Sequence, residues 1–177
     1  MTLYAITGTP GTGKTSVAGE LRSRGYEVID LSAHIRSNGL LGELDADRDT
    51  HEVDLDALND SLEEFRQKEG LVLMEGHLSH FMDCSGIIVL RCRPGVLAER
   101  LEARGYSREK VLENVQSEVL DVILCEATDS DIPVFEVDCT EGDASTSADS
   151  IEKILKGKSD DYLPGKTDWS EEMDRWF

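Results

Sequence analysis

Gly8-Thr9-Pro10-Gly11-Thr12-Gly13-Lys14-Thr15 is the stretch that decides the fold, and it satisfies the spacing G-x-x-x-x-G-K-[ST] in full. The apolar run Leu3-Tyr4-Ala5-Ile6-Thr7 precedes it and reads as a strand. Thr15 to Arg24 follows, with Val17, Ala18 and Leu21 on one helical face and Gly25 as the stop. Strand, Gly-rich loop and helix in that order turn backbone N–H groups toward a phosphate at the positive end of the helix. Gly8, Gly11 and Gly13 admit conformations and close approaches that a Cβ would block. The expected nucleotide-binding residues are therefore Gly8, Gly11, Thr12, Gly13, Lys14, Thr15 and Ser16. In this pattern Lys14 bridges the β- and γ-phosphates of ATP, and the Thr15 hydroxyl takes one Mg2+ position.

Outward from the loop, β-like apolar runs alternate with helical patterns, which predicts an α/β fold with a five-stranded parallel sheet flanked by helices. Glu27 to Asp30 reads as the second strand. Leu71-Val72-Leu73-Met74, Gly86 to Leu90 and Pro133 to Val137 read as strands buried on both faces. Helices are predicted over Asp54 to Lys68, Val96 to Ala103, and Arg108 to about Ala127 with Ser107 as N-cap. Leu31 to Glu52 is polar with Gly39 and Gly42, and reads as an irregular, mobile insertion. Gly142 to Asp149 reads as a loop before a short helix over Ile151 to Leu155. Beyond Gly157 the chain is polar, and its aromatics Tyr162, Trp169, Trp176 and Phe177 are expected to dock on the chain's own domain.

The sequence has 177 residues, a length for which one domain is the default reading. Asp and Glu number 37 against 18 Lys and Arg, a formal charge of −19 that repels phosphate backbones, so little direct nucleic-acid binding is expected. Two explanations of the acidity stay open: a surface suited to a high-salt cytoplasm, or a basic partner. No apolar run approaches the ~20 residues that span a bilayer, and no secretory pattern is seen, so a cytoplasmic protein without membrane attachment is expected. Cys84, Cys92, Cys125 and Cys139 lie far apart, without a C-x-x-C pair, and read as reduced thiols.

A metal-bound triphosphate calls for an acid at the end of a neighbouring buried strand. Glu75 follows Leu71 to Met74 directly, where it can bind Mg2+ through water or orient the attacking group. His77, two residues on, points to the same side of an extended chain and can hold a water or relay a proton. His80 reads as a surface residue. Asp30 is a second candidate acid, and a capping role explains it equally well. Arg100 and Arg104, spaced i, i+4, form an expected lid over the nucleotide. Arg91 and Arg93, at the end of the fourth strand, point to the edge where ligands collect in open α/β sheets. For both arginine pairs, surface ion pairing is the alternative.

The loop Gly8 to Ser16 resembles that of adenylate-kinase-type nucleoside monophosphate kinases. Arg100-Leu101-Glu102-Ala103-Arg104-Gly105-Tyr106, followed by Lys110, Glu113-Asn114, Glu118 and Glu126-Ala127, narrows the resemblance to the adenylate kinase isoenzyme 6 family, the nuclear CINAP-type proteins and their archaeal relatives. The resemblance implies a P-loop kinase domain over residues 1–177. It implies a monophosphate-binding insertion at about 29–52 and a short lid at about 103–113; the acidic aromatic tail at about 158–177 adds nothing to it. It assigns catalysis to Lys14, Glu75, His77 and Arg104, where many relatives have Asp in place of Glu75. In the insertion the family often carries a basic residue followed by acids, whereas here Asp30, His34 and Arg36 are the candidates for the monophosphate. The implied reaction is ATP + AMP to 2 ADP with Mg2+. A role in small-subunit ribosome maturation, through a basic protein of the small-subunit platform, is implied too. An ATPase-type assembly factor whose kinase activity is incidental remains the alternative, and a small kinase acting on a metabolite is a third reading.

Overall fold

The computed structural model describes residues 2–45 and 50–177. Its main sheet holds β1 (Thr2–Thr7), β2 (Glu27–Asp30), β5 (Leu71–Glu75), β6 (Gly86–Arg91) and β7 (Val134–Asp138), all parallel, in the order β2-β5-β1-β6-β7. β1 is central, with consecutive strands β5 and β6 on opposite sides. The chain leaving β1 therefore enters the crevice where parallel sheets collect ligands. Alternation along the strands splits the core: Leu3, Ala5, Val72, Met74, Ile87 and Val89 face one side, and Ile6, Leu73, Ile88 and Leu90 the other. Both sides are covered, which is why these strands read as continuous apolar runs.

On the second side lie α1 (Lys14–Ser23) and α8 (Ala144–Leu155), burying Val17, Leu21, Ala148, Ile151 and Ile154. On the first lie α2 (Leu31–Ser37), α3 (Leu55–Ser61), α4 (Glu63–Gln67) and α7 (Val122–Thr128). A third apolar cluster joins α5 (Pro94–Ala103) to α6 (Arg108–Val119) through Leu97, Leu101, Val111 and Val115. Each fully buried aliphatic side chain contributes about 1.5–3 kcal/mol.

Several expectations change. The insertion after the second strand is ordered into α2 and an antiparallel hairpin, β3 (Leu41–Asp45) with β4 (Thr50–Val53). Residues 46–49 of that insertion lie outside the described residues. The helix expected over 54–68 breaks at Leu62, whose side chain is fully buried, and Arg66 covers the exposed end of α3 by donating to the Asn59 carbonyl at 2.6 Å. The helix expected over 108–127 breaks at Asp121, the only described non-glycine residue with positive φ, 54°. Its carboxylate is drawn to the Arg91 guanidinium. The expected loop at 142–149 instead opens α8, because Asp143 caps it by accepting from the Thr146 N–H at 2.9 Å.

The aromatic tail docks on the body. Trp169 is 9% exposed and donates through Nε1 to Glu118. Trp176, in α9 (Met173–Trp176), packs against the α5–α6 cluster, and its carbonyl accepts from Gln116 at 2.8 Å. No described helix is long and apolar enough to cross a membrane. The four cysteines are free thiols.

Candidate active site

Gly8 to Gly13 leaves β1 in a conformation only glycine supports. Gly8 has φ 143°, and a Cβ there would lie 2.5 Å from the Leu90 carbonyl oxygen; Gly11 has φ 95°, and its Cβ would lie 2.8 Å from Leu97. The loop closes on Thr9, whose carbonyl accepts from the Thr12 N–H at 3.2 Å and the Thr12 hydroxyl at 2.9 Å. Lys14 folds over the same turn, with Nζ donating to the Gly8 carbonyl at 2.7 Å and the Thr9 carbonyl at 3.1 Å. Burial lowers the Lys14 ammonium to about 8, and the nearby Arg104 charge adds to this while Glu75 and Glu118 oppose it. A buried cation held only by carbonyl oxygens is a site prepared for an anion.

Two cavities lie along this loop, and a third adjoins the second. The first, 190 Å3, is lined by Gly11, Thr12, Gly13, Ser16, Arg100 and Arg104 together with the start of α8. The second, 250 Å3, is lined by Gly11, Gly13, Lys14, Thr15, Asp30, Ser32, Glu75, Gly76, His77 and Arg104. The third, 910 Å3, lies under the insertion and is lined by Leu31, Ser32, Ile35, Arg36, Leu41, His51, Val53, Gly76, His77, Leu78 and Tyr106. Arg104 stands between the first and second, and His77 between the second and third.

Glu75 and His77 therefore meet at one cavity, as their spacing predicts. Burial raises the Glu75 carboxyl above its ordinary range, and the Asp30 charge adds to this, with Lys14 opposing. Asp30 and Glu75 line one cavity with Thr15, an all-oxygen donor set that suits a hard divalent cation such as Mg2+. His77 is exposed at the cavity mouth, and partial desolvation by the surrounding chain, with the Lys14 charge and His80, lowers it, so its imidazole is neutral near pH 7.

Asp30 serves both of its expected roles, lining the cavity and capping α2 by accepting from the Ala33 N–H at 2.9 Å. Arg36 lines the large cavity. His34 does not: its ring packs edge-on against Phe65, 5.7 Å between centroids, and Nε2 meets the Ser61 hydroxyl at 2.8 Å. Position 34 falls on the face of α2 turned toward α3 and α4. Arg100 lines the first cavity, while its Nη2 donates to the Cys139 carbonyl at 2.8 Å. Arg104 ends α5 ahead of Gly105, whose φ is 79°.

Two expectations are corrected. Arg91 is 1% exposed and turned away from the crevice edge into Glu118, Glu136 and Asp121. His80 is buried: Nε2 donates to the Glu126 carboxylate at 3.1 Å, and Nδ1 lies 3.0 Å from the Thr7 hydroxyl. That hydroxyl also lies 3.2 Å from the His77 carbonyl, so His80 braces the turn that carries His77. The sequence reading assigned no role to Ser32 or Val53, which line cavities, nor to Glu118, a carboxylate inside the apolar stripe Val111, Val115, Val119. That misplaced charge was the available signal.

The sequence model of the AAA_18 family, described as an AAA domain, matches residues 5–121. A protein of Methanocaldococcus jannaschii named "Putative adenylate kinase" is 42% identical, covering 94% of this chain and 92% of the relative. One of the same name from Methanothermobacter thermautotrophicus is 46% identical over 95% of this chain and 97% of its own length. Among solved structures, a shikimate kinase from Acinetobacter baumannii superposes with TM-score 0.64 at 16% identity, over 89% of this chain and 94% of that one. A deoxyadenosine kinase from M. mycoides does so with TM-score 0.56 at 17% identity, over 88% and 99%. At such identities the likeness is one of fold. Motif, sheet order and site geometry thus agree with the sequence relationships: the chain belongs to the AAA_18 family and to the archaeal family whose members carry the adenylate kinase name.

Proposed function

We propose that this chain is an ATP-dependent nucleoside monophosphate kinase that converts ATP and AMP to two ADP. The observation that carries the reading is the row of three adjoining cavities, joined through Arg104 and His77, with the phosphate loop along the middle. A donor nucleoside fits the first, its terminal phosphates the second, and an acceptor nucleotide the third. The names of the archaeal relatives support the same reading, as does the finer resemblance to the adenylate kinase isoenzyme 6 family.

In this reading the loop N–H groups and Lys14 hold the β- and γ-phosphates, and Arg104 closes from α5 to neutralise the bridging oxygen. An oxygen of the AMP phosphate attacks the γ-phosphorus as the bond to the β-bridging oxygen breaks, and ADP leaves from each side. The nucleophile is already anionic, so no base has to remove a proton at this step. Thr15 and Glu75 would hold Mg2+, which would supply neutralisation of the phosphate charge. Arg36 lines the acceptor cavity, and Asp30 lines the phosphate cavity that adjoins it. The one-domain organisation, with 29–52 as acceptor insertion and 103–113 as lid, belongs to the same proposal.

A second reading, an ATPase acting in small-subunit ribosome maturation, is favoured by one observation. His77 is a neutral imidazole beside the phosphate cavity, suited to orienting a water that replaces AMP. The charge of −19 suits a basic protein partner. The deciding experiment measures nucleotide products from ATP with and without AMP. Stoichiometric ADP from both nucleotides supports the kinase. Absence of transfer to every monophosphate, with inorganic phosphate released instead, rejects it in favour of the ATPase.

A further inference from the structure

We propose that Glu118 is a positioning residue for the phosphate loop, and that the C-terminal segment around Trp169 holds its carboxylate in the working orientation. The proposal rests on the nucleotide reading above, and nothing in the chemistry of phosphoryl transfer calls for an acid at this place.

Glu118 lies on α6, 3% exposed, on the far side of the Arg104–Ser107 turn from α5. Its two oxygens have separate duties. Oε1 accepts from the Arg91 Nε at 2.8 Å, the Cys92 N–H at 3.1 Å and the Trp169 Nε1 at 3.2 Å. Oε2 accepts from the Thr9 hydroxyl at 2.6 Å. Three donors therefore fix the plane of the carboxylate, and its remaining oxygen fixes Thr9. Thr9 is the residue on which the loop closes, since its carbonyl takes the Thr12 N–H, the Thr12 hydroxyl and Lys14 Nζ. Where Thr9 sits decides where the phosphate-binding groups sit.

The tail belongs to the same assembly for an electrostatic reason. One guanidinium, Arg91, faces three carboxylates, Glu118, Glu136 and Asp121, and cannot balance them alone. Neutral donors supply the rest: Trp169 to Glu118, and the N–H groups of Gly165 and Lys166 to Glu136 at 2.8 and 3.2 Å. A buried carboxylate short of donors reorients or draws in water. Loss of the tail contacts then reaches the phosphate loop through Glu118, although the tail touches none of the cavities. Glu118 also ties the loop to α6.

Substitution of Glu118 endangers the fold, so the test uses its partners. Thr9→Val keeps shape and removes the hydroxyl; Thr9→Ser restores a hydroxyl; Trp169→Phe keeps the ring and removes the N–H. ATP affinity by calorimetry, steady-state kcat and KM with ATP and AMP, and thermal melting are measured for each and for Thr9→Val with Trp169→Phe. The expected result is a loss of about tenfold in kcat and a similar loss in ATP affinity for Thr9→Val, with KM for AMP unchanged. Thr9→Ser should recover most of both. Trp169→Phe should show a smaller loss in the same parameters, and the double variant should resemble Thr9→Val alone, since both act through one carboxylate. The proposal is overturned if folded Thr9→Val binds and turns over ATP normally, if Thr9→Ser is as impaired as Thr9→Val, or if the two losses multiply. An inactive wild-type protein would reject the kinase reading instead, and ATP affinity alone would then decide this one.

Discussion

Asp30 and Glu75 are register partners at the carboxyl ends of β2 and β5, so two acids meet at the floor of the central cavity beside Lys14 and Thr15. Their repulsion, added to burial, keeps the Glu75 proton to a higher pH than an ordinary carboxyl holds it. A cation held between them would offset that repulsion.

Glu75→Gln should therefore stabilise the empty protein and remove its activity. A raised folded-state value means the group favours folding below about 4.5 and loses that contribution as pH rises through the folded value. Above the folded value the wild type carries the penalty and the amide carries none. The expected rise in Tm is on the order of 2 °C, shrinking as the melts are moved toward pH 4. A lowered Tm at pH 7 would contradict the charge repulsion.

Lys14 gives a second proton signature. In the empty protein it titrates at about 8, and triphosphate oxygens should raise it. ATP binding is thus expected to take up about three quarters of a proton per site at pH 8.5 and almost none at pH 6.5. Calorimetry in buffers of different ionisation enthalpy reads this directly, and affinity should fall as pH rises through about 8. Lys14→Ala should abolish the uptake and cost roughly a hundredfold or more in kcat. Near-normal turnover would displace Lys14 from the site.

His77→Ala should lower ATP hydrolysis measured without AMP by about tenfold to a hundredfold, while ATP affinity stays within about twofold. Transfer to AMP, whose phosphate needs no base, should suffer less. A defect confined to affinity would contradict the role. Because partial desolvation and the Lys14 charge lower His77, its protonation should reduce hydrolysis only below pH 6.5.

Arg91→Ala should destabilise the protein by about 3–5 kcal/mol, since it leaves Glu118 and Glu136 buried without their cation. Urea melts at pH 7 read the loss. A change below about 1 kcal/mol would mean that water compensates the carboxylates.

The sequence by itself determined the phosphate loop and the parallel sheet around it. Gly8 to Thr15 prescribes a local backbone shape that needs few neighbours, and Leu71 to Met74 must be buried wherever it lies. The placing of Glu75 and His77 also followed from local geometry, because two residues of extended chain set their spacing. Arg91, His80, His34 and Glu118 escaped local reading, since the partners that place them (Glu118 for Arg91, Thr7 and Glu126 for His80, Ser61 for His34, Cys92 and Thr9 for Glu118) lie 26 or more residues away in sequence. Composition shows an arginine but not whether it meets a carboxylate or a ligand. The fold alone brings β6, α6 and β7 together and turns Arg91 inward. The break at Asp121 has the same origin: a periodic apolar stripe runs through it, and only the pull of Arg91 interrupts the helix there.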